Sequence, residues 1–304
     1  MPFVTTDDDC DLYVKEWGPE NGKPVVLIHG WPLNADSWDD VANGLANAGY
    51  RAIAYDRRGF GRSDQPWEGY DYDTLADDLG VVIEEFAQGQ QAAIVGFSMG
   101  GGEVARYLAK HGAEKVSHAV LIASVVPFLL KTDDNPDGTD KDTFDKQIDQ
   151  IVDDRADFMQ SFGKQFYGAG LNLVKPVSQG VLDHTFQMAM MGGLRPTLAC
   201  HRAFSTTDFR PDCAKFTVPT LIIHGTGDKI VPIEGSAKKA AELIPHAKLV
   251  ELDGEPHGLL VTQKMQVTDL LVEFLGSESR SAFGMGSEGQ VASGQQTSTL
   301  QTQY

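Results

Sequence analysis

The heptapeptide Val95-Gly96-Phe97-Ser98-Met99-Gly100-Gly101 decides the fold of this 304-residue chain. It contains the pattern G-x-S-x-G, between an apolar run typical of a buried strand, Gln91–Val95, and a helix-forming segment, Glu103–Lys110. In this context the pattern predicts a tight strand-to-helix turn that lifts the serine above the sheet. Glycines on either side of the serine let strand and helix approach closely. We therefore predict that Ser98 is a nucleophile, and not part of an ordinary glycine-rich turn.

A serine hydroxyl is a weak nucleophile, so it needs a general base, and the base needs an orienting acid. In hydrolases with this turn the chain order is serine, acid, histidine. Asp228 directly follows the β-branched strand Val218–Gly225, and His257 lies in a glycine-flanked loop after the strand Ala247–Leu252. Their residue types, order and places at strand ends predict a catalytic triad of Ser98, Asp228 and His257.

The other seven histidines fit the role of base less well. His224 lies within the strand before the acid, where a core or loop-bracing role is expected. His184 is expected at the start of a helix, and His29 belongs to an earlier turn. The remaining four are predicted at helix ends, strand starts or surface positions: His111, His118, His201 and His246.

The loop His29-Gly30-Trp31-Pro32 follows an apolar strand, Pro24–Ile28. In hydrolases with the serine turn, one oxyanion donor is the N–H after the nucleophile, here Met99, and the other comes from the loop after the third strand. We assign the second donor to Trp31 and expect His29 to brace the loops beneath the site. Such donors contribute roughly 3–4 kcal/mol each.

Charge and composition disfavour several classes of partner. The chain has 25 basic and 43 acidic residues, a net charge of -18, which disfavours nucleic acid and anionic membranes as partners. Residues 119–130 form the longest apolar run, which contains a proline and is too short to span a bilayer. The first residues lack the pattern of a signal peptide. We expect a cytoplasmic protein with reduced cysteines at its three positions, Cys10, Cys200 and Cys213.

The order of predicted elements indicates an α/β fold. Three early strands, a helix and a fourth strand are followed by a helix that leads into the serine turn: Phe3–Thr5, Leu12–Trp17, Pro24–His29, Ser37–Ala48, Arg51–Tyr55 and Thr74–Phe86. Strand and helix alternate from there onwards, except for one long insertion. This order implies a mostly parallel sheet flanked by helices.

The insertion lies between a strand at Ala119–Ala123 and the strand beginning near Pro219, and at about 90 residues it is too long for a loop. Three of its segments have helical apolar spacing: Asp142–Asp154, Asp157–Phe166 and His184–Phe204. We predict a core domain of residues 1–125 and 215–275 with a helical cap, residues 126–214. Residues 276–304 are rich in Ser, Gly, Gln and Thr and predict a disordered tail. Some bulky apolar cap residues should line a substrate pocket: Phe128, Phe158, Phe162, Phe166, Phe186, Met188 and Met191.

From about Leu12 to Leu275, the sequence closely resembles the cofactor-free (non-haem) bacterial haloperoxidases, perhydrolases and arylesterases of the α/β-hydrolase fold. The resemblance includes the insertion and rests on five stretches: residues 29–32, 56–63 (DRRGFGRS), 96–101, 203–209 (AFSTTDF) and 256–260 (PHGLL). It implies an α/β-hydrolase fold with a mostly parallel eight-stranded sheet, flanking helices and a helical cap. A third glycine at the helix start, Gly102, departs from the expected pattern.

The resemblance also implies the same triad and oxyanion donors, and pocket positions at Trp31, Ile230 and Ile233, to which we add Phe128 and Phe162 from the cap. It implies no metal and no cofactor. Members of this family hydrolyse small aryl and alkyl esters, and many form homo-oligomers. Many let hydrogen peroxide replace water, which gives a peracid that oxidises halide, and a proline at the place of Pro32 accompanies this activity.

Alternative functions remain open from the residues alone. A lactonase, an amidase or a C–C hydrolase could use the same triad, with the pocket deciding the substrate. From a different class, the chain could be a ligand-binding receptor on a hydrolase scaffold. Haloalkane dehalogenases and epoxide hydrolases need a carboxylate nucleophile, so Ser98 excludes them.

Overall fold

The computed structural model describes residues 3–168 and 177–276. Within these residues, eight strands form one sheet in the order β1-β2-β4-β3-β5-β6-β7-β8. The strands are β1 (Phe3–Thr5), β2 (Asp11–Trp17), β3 (Pro24–Ile28), β4 (Arg51–Tyr55), β5 (Ala92–Phe97), β6 (Val116–Ile122), β7 (Thr220–Gly225) and β8 (Lys248–Leu252).

Helices connect most of the parallel strands. They are α1 (Asp39–Asn47), α2 (Tyr72–Phe86), α3 (Met99–His111), α4 (Lys141–Phe166), α5 (Gln179–Met191), α6 (Leu194–Thr206), α7 (Arg210–Cys213), α8 (Ala237–Leu243), α9 (Leu259–Thr262) and α10 (Lys264–Gly276), with a 3₁₀ turn at Ala35–Trp38. No helix of the described part of the chain is both long enough and apolar enough to cross a membrane.

In the described sheet, β2 pairs antiparallel with β1 and with β4, and β3 to β8 run parallel to one another. Every residue of β3, β4, β5 and β7 is buried, as expected for strands covered by helices on both faces. These strands read as continuous apolar runs, which is why the sequence indicates them clearly. The predicted α/β-hydrolase fold with an eight-stranded, mostly parallel sheet is confirmed.

The sheet order reverses direction beside β3. After β3 the chain adds β4 on one side and then β5 on the other, and Ile28 of β3 pairs with Gly96 of β5. In open α/β sheets, ligands bind outside the carboxyl ends of the strands at such a switch point. The fold therefore places the loop after β3 and the turn after β5 together at the edge where a ligand site is expected.

Helices α4 to α7 lie between β6 and β7 in the chain, where the insertion was predicted. The predicted helices Asp142–Asp154 and Asp157–Phe166 are joined in α4, which is kinked at Asp154 (φ −146°, ψ 90°). The prediction of one helix over His184–Phe204 is wrong, because Gly192 and Gly193 have extended backbone that separates α5 from α6.

The C-terminal boundary differs from the prediction by one residue, because Gly276 is the last residue of α10 and not the first of a tail. The rest of the predicted tail, residues 277–304, lies outside the described residues. The division into core and cap domains stays a prediction at this point.

Candidate active site

Ser98 occupies the turn between β5 and α3, with φ 53° and ψ −117°. A positive φ is rare for a residue with a side chain and costs energy, so the surroundings must hold it in place. The Ser98 amide donates to the Ile122 carbonyl at 2.8 Å, and the Ser98 carbonyl accepts from the Gly101 amide at 3.0 Å. The turn sets the serine at the N-terminus of α3, where the helix dipole stabilises negative charge.

The third glycine at the start of α3 has a packing reason. A Cβ added to Gly102 would lie 2.5 Å from the ring of Tyr72 and 2.6 Å from the ring of Phe209. These two rings themselves meet edge to face, with centroids 4.6 Å apart. The departure at Gly102 from the expected pattern therefore lets α2 and the segment before α7 pack directly on the helix that carries Ser98.

Ser98, His257 and Asp228 are joined by hydrogen bonds. Ser98 Oγ–H donates to His257 Nε2 at 2.9 Å, and His257 Nδ1–H donates to Asp228 Oδ2 at 2.6 Å. All three residues are buried, and Ser98 retains 6% of its surface exposed. The structure brings together the three residues that the sequence grouped, with His257 between the hydroxyl and the carboxylate.

The carboxylate of Asp228 accepts hydrogen bonds at both oxygens. Oδ1 accepts from the amides of Ile230 at 2.9 Å and Val231 at 2.8 Å, while Oδ2 faces His257. Burial alone would raise the pKa of this carboxyl. The attraction of His257 and hydrogen bonds from His224 and His257 outweigh that effect and lower the pKa well below its ordinary value. Asp228 is therefore ionised at neutral pH and holds the imidazole in one orientation.

His224 braces the loop that carries the acid. Its Nε2 lies 2.8 Å from the Val231 carbonyl and 3.2 Å from Asp228 Oδ2, and its ring is fully buried at the end of β7. One N–H therefore donates to two oxygens of the same loop. This arrangement agrees with the loop-bracing role expected from the position of His224 before the acid.

The loop after β3 lies against the serine turn. A Cβ added to Gly30 would lie 2.9 Å from Ser98 Cβ, which places the neighbouring Trp31 beside the nucleophile. Within residues 3–168 and 177–276, neither the Trp31 amide nor the Met99 amide has a hydrogen-bond acceptor. Two unpaired N–H groups on either side of a nucleophile are the arrangement that an oxyanion requires.

His29 braces this loop from below, as expected. Its Nε2 accepts from the Arg57 amide at 2.9 Å, and its Nδ1–H donates to the Gly30 carbonyl at 2.9 Å. Burial, with the charge of Arg57, lowers the pKa of His29 well below its usual value, so the ring is neutral. The buried guanidinium donates to the His29 carbonyl at 2.6 Å and to Glu103 of α3 at 2.6 Å.

The Arg57–Glu103 pair thus ties the loop after β3 to the helix that begins at the serine turn. The sequence reasoning did not assign this role. Arg57 lies in residues 56–63, one of the stretches that carry the family resemblance. Residue type alone, however, does not distinguish a buried arginine from a surface one.

Ser98 opens into a cavity of about 130 Å³. We name it the inner cavity. Its apolar walls are Trp31, Val125, Leu129, Phe144, Phe162, Phe204, Ile230, Val231 and Pro232, and its polar ones are Thr139, Thr143, Gln147, Gln165 and Lys229. Three of the predicted pocket residues, Trp31, Phe162 and Ile230, therefore line the cavity that contains Ser98.

Two predicted pocket residues do not line the inner cavity. Phe128 lies below the guanidinium of Arg210, 4.9 Å from its carbon, in a cation–π contact. Ile233 is buried in the core, and its carbonyl accepts from the amides of Ser236 and Lys238 where α8 begins. Both predictions were wrong for this cavity, because apolar character selects buried residues without showing which side of the backbone they face.

Trp31 is fixed by an aromatic cluster over the nucleophile. Its Nε1–H donates to the Thr197 carbonyl at 3.0 Å. Its ring meets those of Phe162, Phe204 and His201 with centroids 5.3–5.5 Å apart. The prediction that His201 lies at a helix end or on the surface is wrong: it is in the middle of α6 and only 1% exposed. Thr197, Cys200 and His201 have the i, i+3, i+4 spacing of one helix face, and all three are buried. This spacing could have indicated that His201 faces the interior.

Among the described residues, no group of His, Cys, Asp and Glu side chains has the arrangement to hold a metal ion. The cysteines are three separate buried thiols, at Cys10, Cys200 and Cys213. Burial raises the pKa of each to about 12, so these thiols stay protonated and are poor metal ligands.

Comparison with known proteins agrees with this architecture. The model of the α/β-hydrolase fold family matches residues 23–263. A non-heme chloroperoxidase of Kitasatospora aureofaciens is 40% identical over 277 residues, 90% of this chain and 99% of the relative. A bifunctional esterase/perhydrolase of Acinetobacter calcoaceticus is 41% identical over 279 residues, 91% of this chain and all of the relative.

Among solved structures, a bromoperoxidase from Bacillus anthracis superposes with a TM-score of 0.85 at 42% identity, covering 90% of this chain and 99% of that one. The chain therefore belongs to the α/β-hydrolase fold family, as an enzyme whose relatives include non-heme haloperoxidases and esterase/perhydrolases.

Proposed function

We propose that this enzyme hydrolyses small aryl and alkyl esters by acyl transfer through Ser98, His257 and Asp228. The observation that carries the proposal is the continuous chain of hydrogen bonds from Ser98 Oγ through the His257 ring to the Asp228 carboxylate. A base within hydrogen-bond distance of a hydroxyl, itself held by an ionised acid, is the arrangement that activates a serine.

In the first half-reaction, Ser98 Oγ attacks the ester carbonyl carbon while His257 Nε2 accepts the hydroxyl proton. The amides of Trp31 and Met99 hold the oxygen that becomes negative. His257 then gives the proton to the leaving alkoxide, which departs as the alcohol and leaves an acyl-serine. Asp228 stays ionised and stabilises the imidazolium that exists between these two proton transfers.

In the second half-reaction, water takes the place of the alcohol. His257 Nε2 accepts a proton from the water as its oxygen attacks the acyl carbonyl, and then returns the proton to Ser98 Oγ as the carboxylic acid leaves. The aromatic and aliphatic walls around Ser98 support a small apolar acyl or aryl group as the substrate portion that they enclose.

Hydrogen peroxide is the second nucleophile that we propose for the acyl-enzyme, as a side activity. Attack by HOOH on the acyl-serine gives a peracid and regenerates the serine hydroxyl. The peracid then oxidises a halide ion to hypohalous acid and becomes the carboxylic acid, with no metal or cofactor in the step. The similarity to an esterase/perhydrolase and to a non-heme chloroperoxidase supports this proposal, as does Pro32 in the loop beside Ser98.

The helices between β6 and β7 support the domain division expected from the sequence. Phe144 and Phe162 of α4 and Phe204 of α6 line the inner cavity together with Ser98 and with Ile230 from the loop after β7. We propose that residues 126–214 act as a helical cap over the core of residues 1–125 and 215–275. A homo-oligomeric state and a cytoplasmic location remain part of the proposal.

The test is the hydrolysis of p-nitrophenyl acetate by the wild type and by Ser98→Ala, without added metal. We expect turnover by the wild type and its loss, by about 10³-fold or more, in the variant. Ser117→Ala is the matched control, since Ser117 lies in β6 away from the inner cavity. Equal rates for the wild type and Ser98→Ala would refute the mechanism. Bromide oxidation in acetate and peroxide tests the side activity with the same variants.

A further inference from the structure

The inner cavity has both apolar and polar walls. Its polar lining residues include no carboxylate, although the chain has a net charge of -18: Thr139, Thr143, Gln147, Gln165 and Lys229. These polar side chains offer hydrogen-bond donors and one positive charge.

Gln147 is held by a buried partner. Its Oε1 lies 2.8 Å from His201 Nε2. The His201 ring is enclosed by the rings of Trp31, Phe144 and Phe204, with centroids 4.9–6.0 Å away. Because the imidazole cannot move without disturbing this cluster, the amide of Gln147 has a fixed anchor inside the cap.

The direction of this hydrogen bond follows from the protonation state of His201. Burial, aided by the charge of Arg202, lowers the pKa of His201 to about 4, so the ring is neutral at pH 7 and carries one N–H. Its Nδ1 is buried without a partner among the described residues. An unpaired buried N–H is rarer than an unpaired acceptor, so the proton belongs on Nε2, where it donates to Gln147 Oε1.

With its oxygen engaged, Gln147 has only its NH₂ group left to offer. Within the part of the chain that the structure describes, Nε2 of Gln147 has no protein acceptor. The residue also lines a second, outer cavity of about 540 Å³ along α4, which shares Thr143, Gln147, Phe162 and Gln165 with the inner one. Gln147 therefore contributes to the walls of both cavities.

Lys229 adds a second donor to the same wall. It follows the triad acid directly in sequence, and its ammonium group forms no ion pair with any described residue. Lys229 is exposed at the rim of the inner cavity. The aspartates Asp153, Asp154 and Asp157 line only the outer cavity and are also exposed, where salt screens their charge. Gln147 and Lys229 thus both present donors to the inner cavity.

We propose that Gln147, positioned by His201, and Lys229 select substrates whose acyl group carries an oxygen acceptor at the end remote from the ester. The shared chemistry is an acceptor oxygen, either a neutral carbonyl or a carboxylate. The inference rests on the proposed ester hydrolysis and adds to it a class of acyl group. A purely apolar acyl chain cannot accept a hydrogen bond from either donor, so its rate lacks the gain that an acceptor oxygen brings.

Three methyl esters of one shape test the inference: methyl 4-methylpentanoate, methyl 4-oxopentanoate and monomethyl succinate. They differ only in an isopropyl, acetyl or carboxylate end, and the release of acid is followed at constant pH. The measured quantity is the ratio of kcat/KM between an oxygen-bearing ester and 4-methylpentanoate in one enzyme preparation. If a variant folds poorly, the amount of active enzyme falls equally for both esters. Poor folding therefore leaves the ratio of the two kcat/KM values unchanged.

We expect Gln147→Leu to lower the ratio for the 4-oxo ester about fivefold, and Lys229→Met to lower the ratio for the succinate ester about tenfold. His201→Phe should act in the same direction as Gln147→Leu, because the amide is then free to turn. Gln150→Leu is the matched control, since Gln150 lines only the outer cavity on the same helix.

The variant whose ratio changes distinguishes the two possible acceptors, a neutral carbonyl and a carboxylate. A change confined to the 4-oxo ester in Gln147→Leu assigns a neutral carbonyl, and a change confined to succinate in Lys229→Met assigns a carboxylate. Ratios unchanged in both variants would overturn the inference while leaving ester hydrolysis intact. No hydrolysis of any of the three esters or of p-nitrophenyl acetate by the wild type would overturn both proposals.

Discussion

Replacement of Asp228 by asparagine changes one atom of the site and has a consequence that the geometry fixes. Asp228 Oδ1 accepts from the Ile230 and Val231 amides, while Oδ2 accepts from His257 Nδ1–H at 2.6 Å. In Asp228→Asn the amide oxygen keeps the two backbone donors, so the NH₂ group takes the place of Oδ2. It then faces two N–H groups, because His224 Nε2 also lies 3.2 Å from that position.

This NH₂ group can be accommodated only if His257 moves its proton from Nδ1 to Nε2. The ring then accepts from the asparagine, and Nε2 can no longer accept the proton of Ser98. We expect kcat to fall by about 10³- to 10⁴-fold at pH 8, with KM changed by less than about threefold, since the acid does not line the inner cavity.

The assay is p-nitrophenyl acetate hydrolysis by the wild type, Asp228→Asn and Asp253→Asn. Asp253 is the matched control, because it is an exposed aspartate in the next loop, after β8. Circular dichroism establishes that the variants are folded. A kcat for Asp228→Asn within tenfold of the wild type, in folded protein, would refute the assignment of Asp228 as the group that sets the tautomer of His257.

Two predictions concern stability. Relative to Gly80→Ala of α2, Gly102→Ala should lower the free energy of unfolding by about 1–3 kcal/mol, because its Cβ would press on Tyr72 and Phe209 whereas the Cβ added to Gly80 meets only ordinary contact. Both variants gain the better helix propensity of alanine, about 1 kcal/mol, so this gain cancels in the comparison. Urea unfolding measures the difference, and equal changes in the two variants would contradict the packing argument. The second prediction concerns the pH dependence of stability. The pKa of Asp228 is lower in the folded protein than its value of about 3.9 in the unfolded chain, so the ionised carboxylate stabilises the folded state at pH values above about 3.9. The difference in unfolding free energy between the wild type and Asp228→Asn should shrink as the pH falls below about 4; a difference that grows from about pH 4 to about pH 2 would contradict it.

The sequence predicted the elements that repeat a simple pattern. β3, β5 and β7 are continuous apolar runs because helices cover both faces of the sheet, and strand ends followed by glycine place Ser98 and Asp228 without knowledge of packing. The order of serine, acid and histidine then leaves His246 and His257 as possible bases, and only His257 follows the strand β8. What the pattern does not contain is the register of the strands, and therefore which residue of each loop meets its neighbour.

The cap was harder to predict, for a physical reason. One apolar residue of this insertion faces the inner cavity while another packs elsewhere, and the residue type does not distinguish the two. Phe144 lines the inner cavity and Phe128 packs under Arg210, although both are phenylalanines in the same insertion. His201 was misplaced because a polar residue type was given more weight than its spacing, and its partner Gln147 is 54 residues away in sequence.

The core segment that leads from β6 towards the cap contacts the nucleophile through its backbone. The Ser98 carbonyl accepts from the Gly101 amide and, at 3.3 Å, from the Val125 amide, while the Ser98 amide donates to the Ile122 carbonyl at the end of β6. The segment that leads from β6 into the cap therefore holds the serine in its positive-φ conformation, and Val125 also lines the inner cavity. Because the same residues support the nucleophile and the substrate wall, a cap substitution that displaces Val125 is expected to change kcat as well as KM, whereas one that alters only a side chain at the outer cavity changes KM alone.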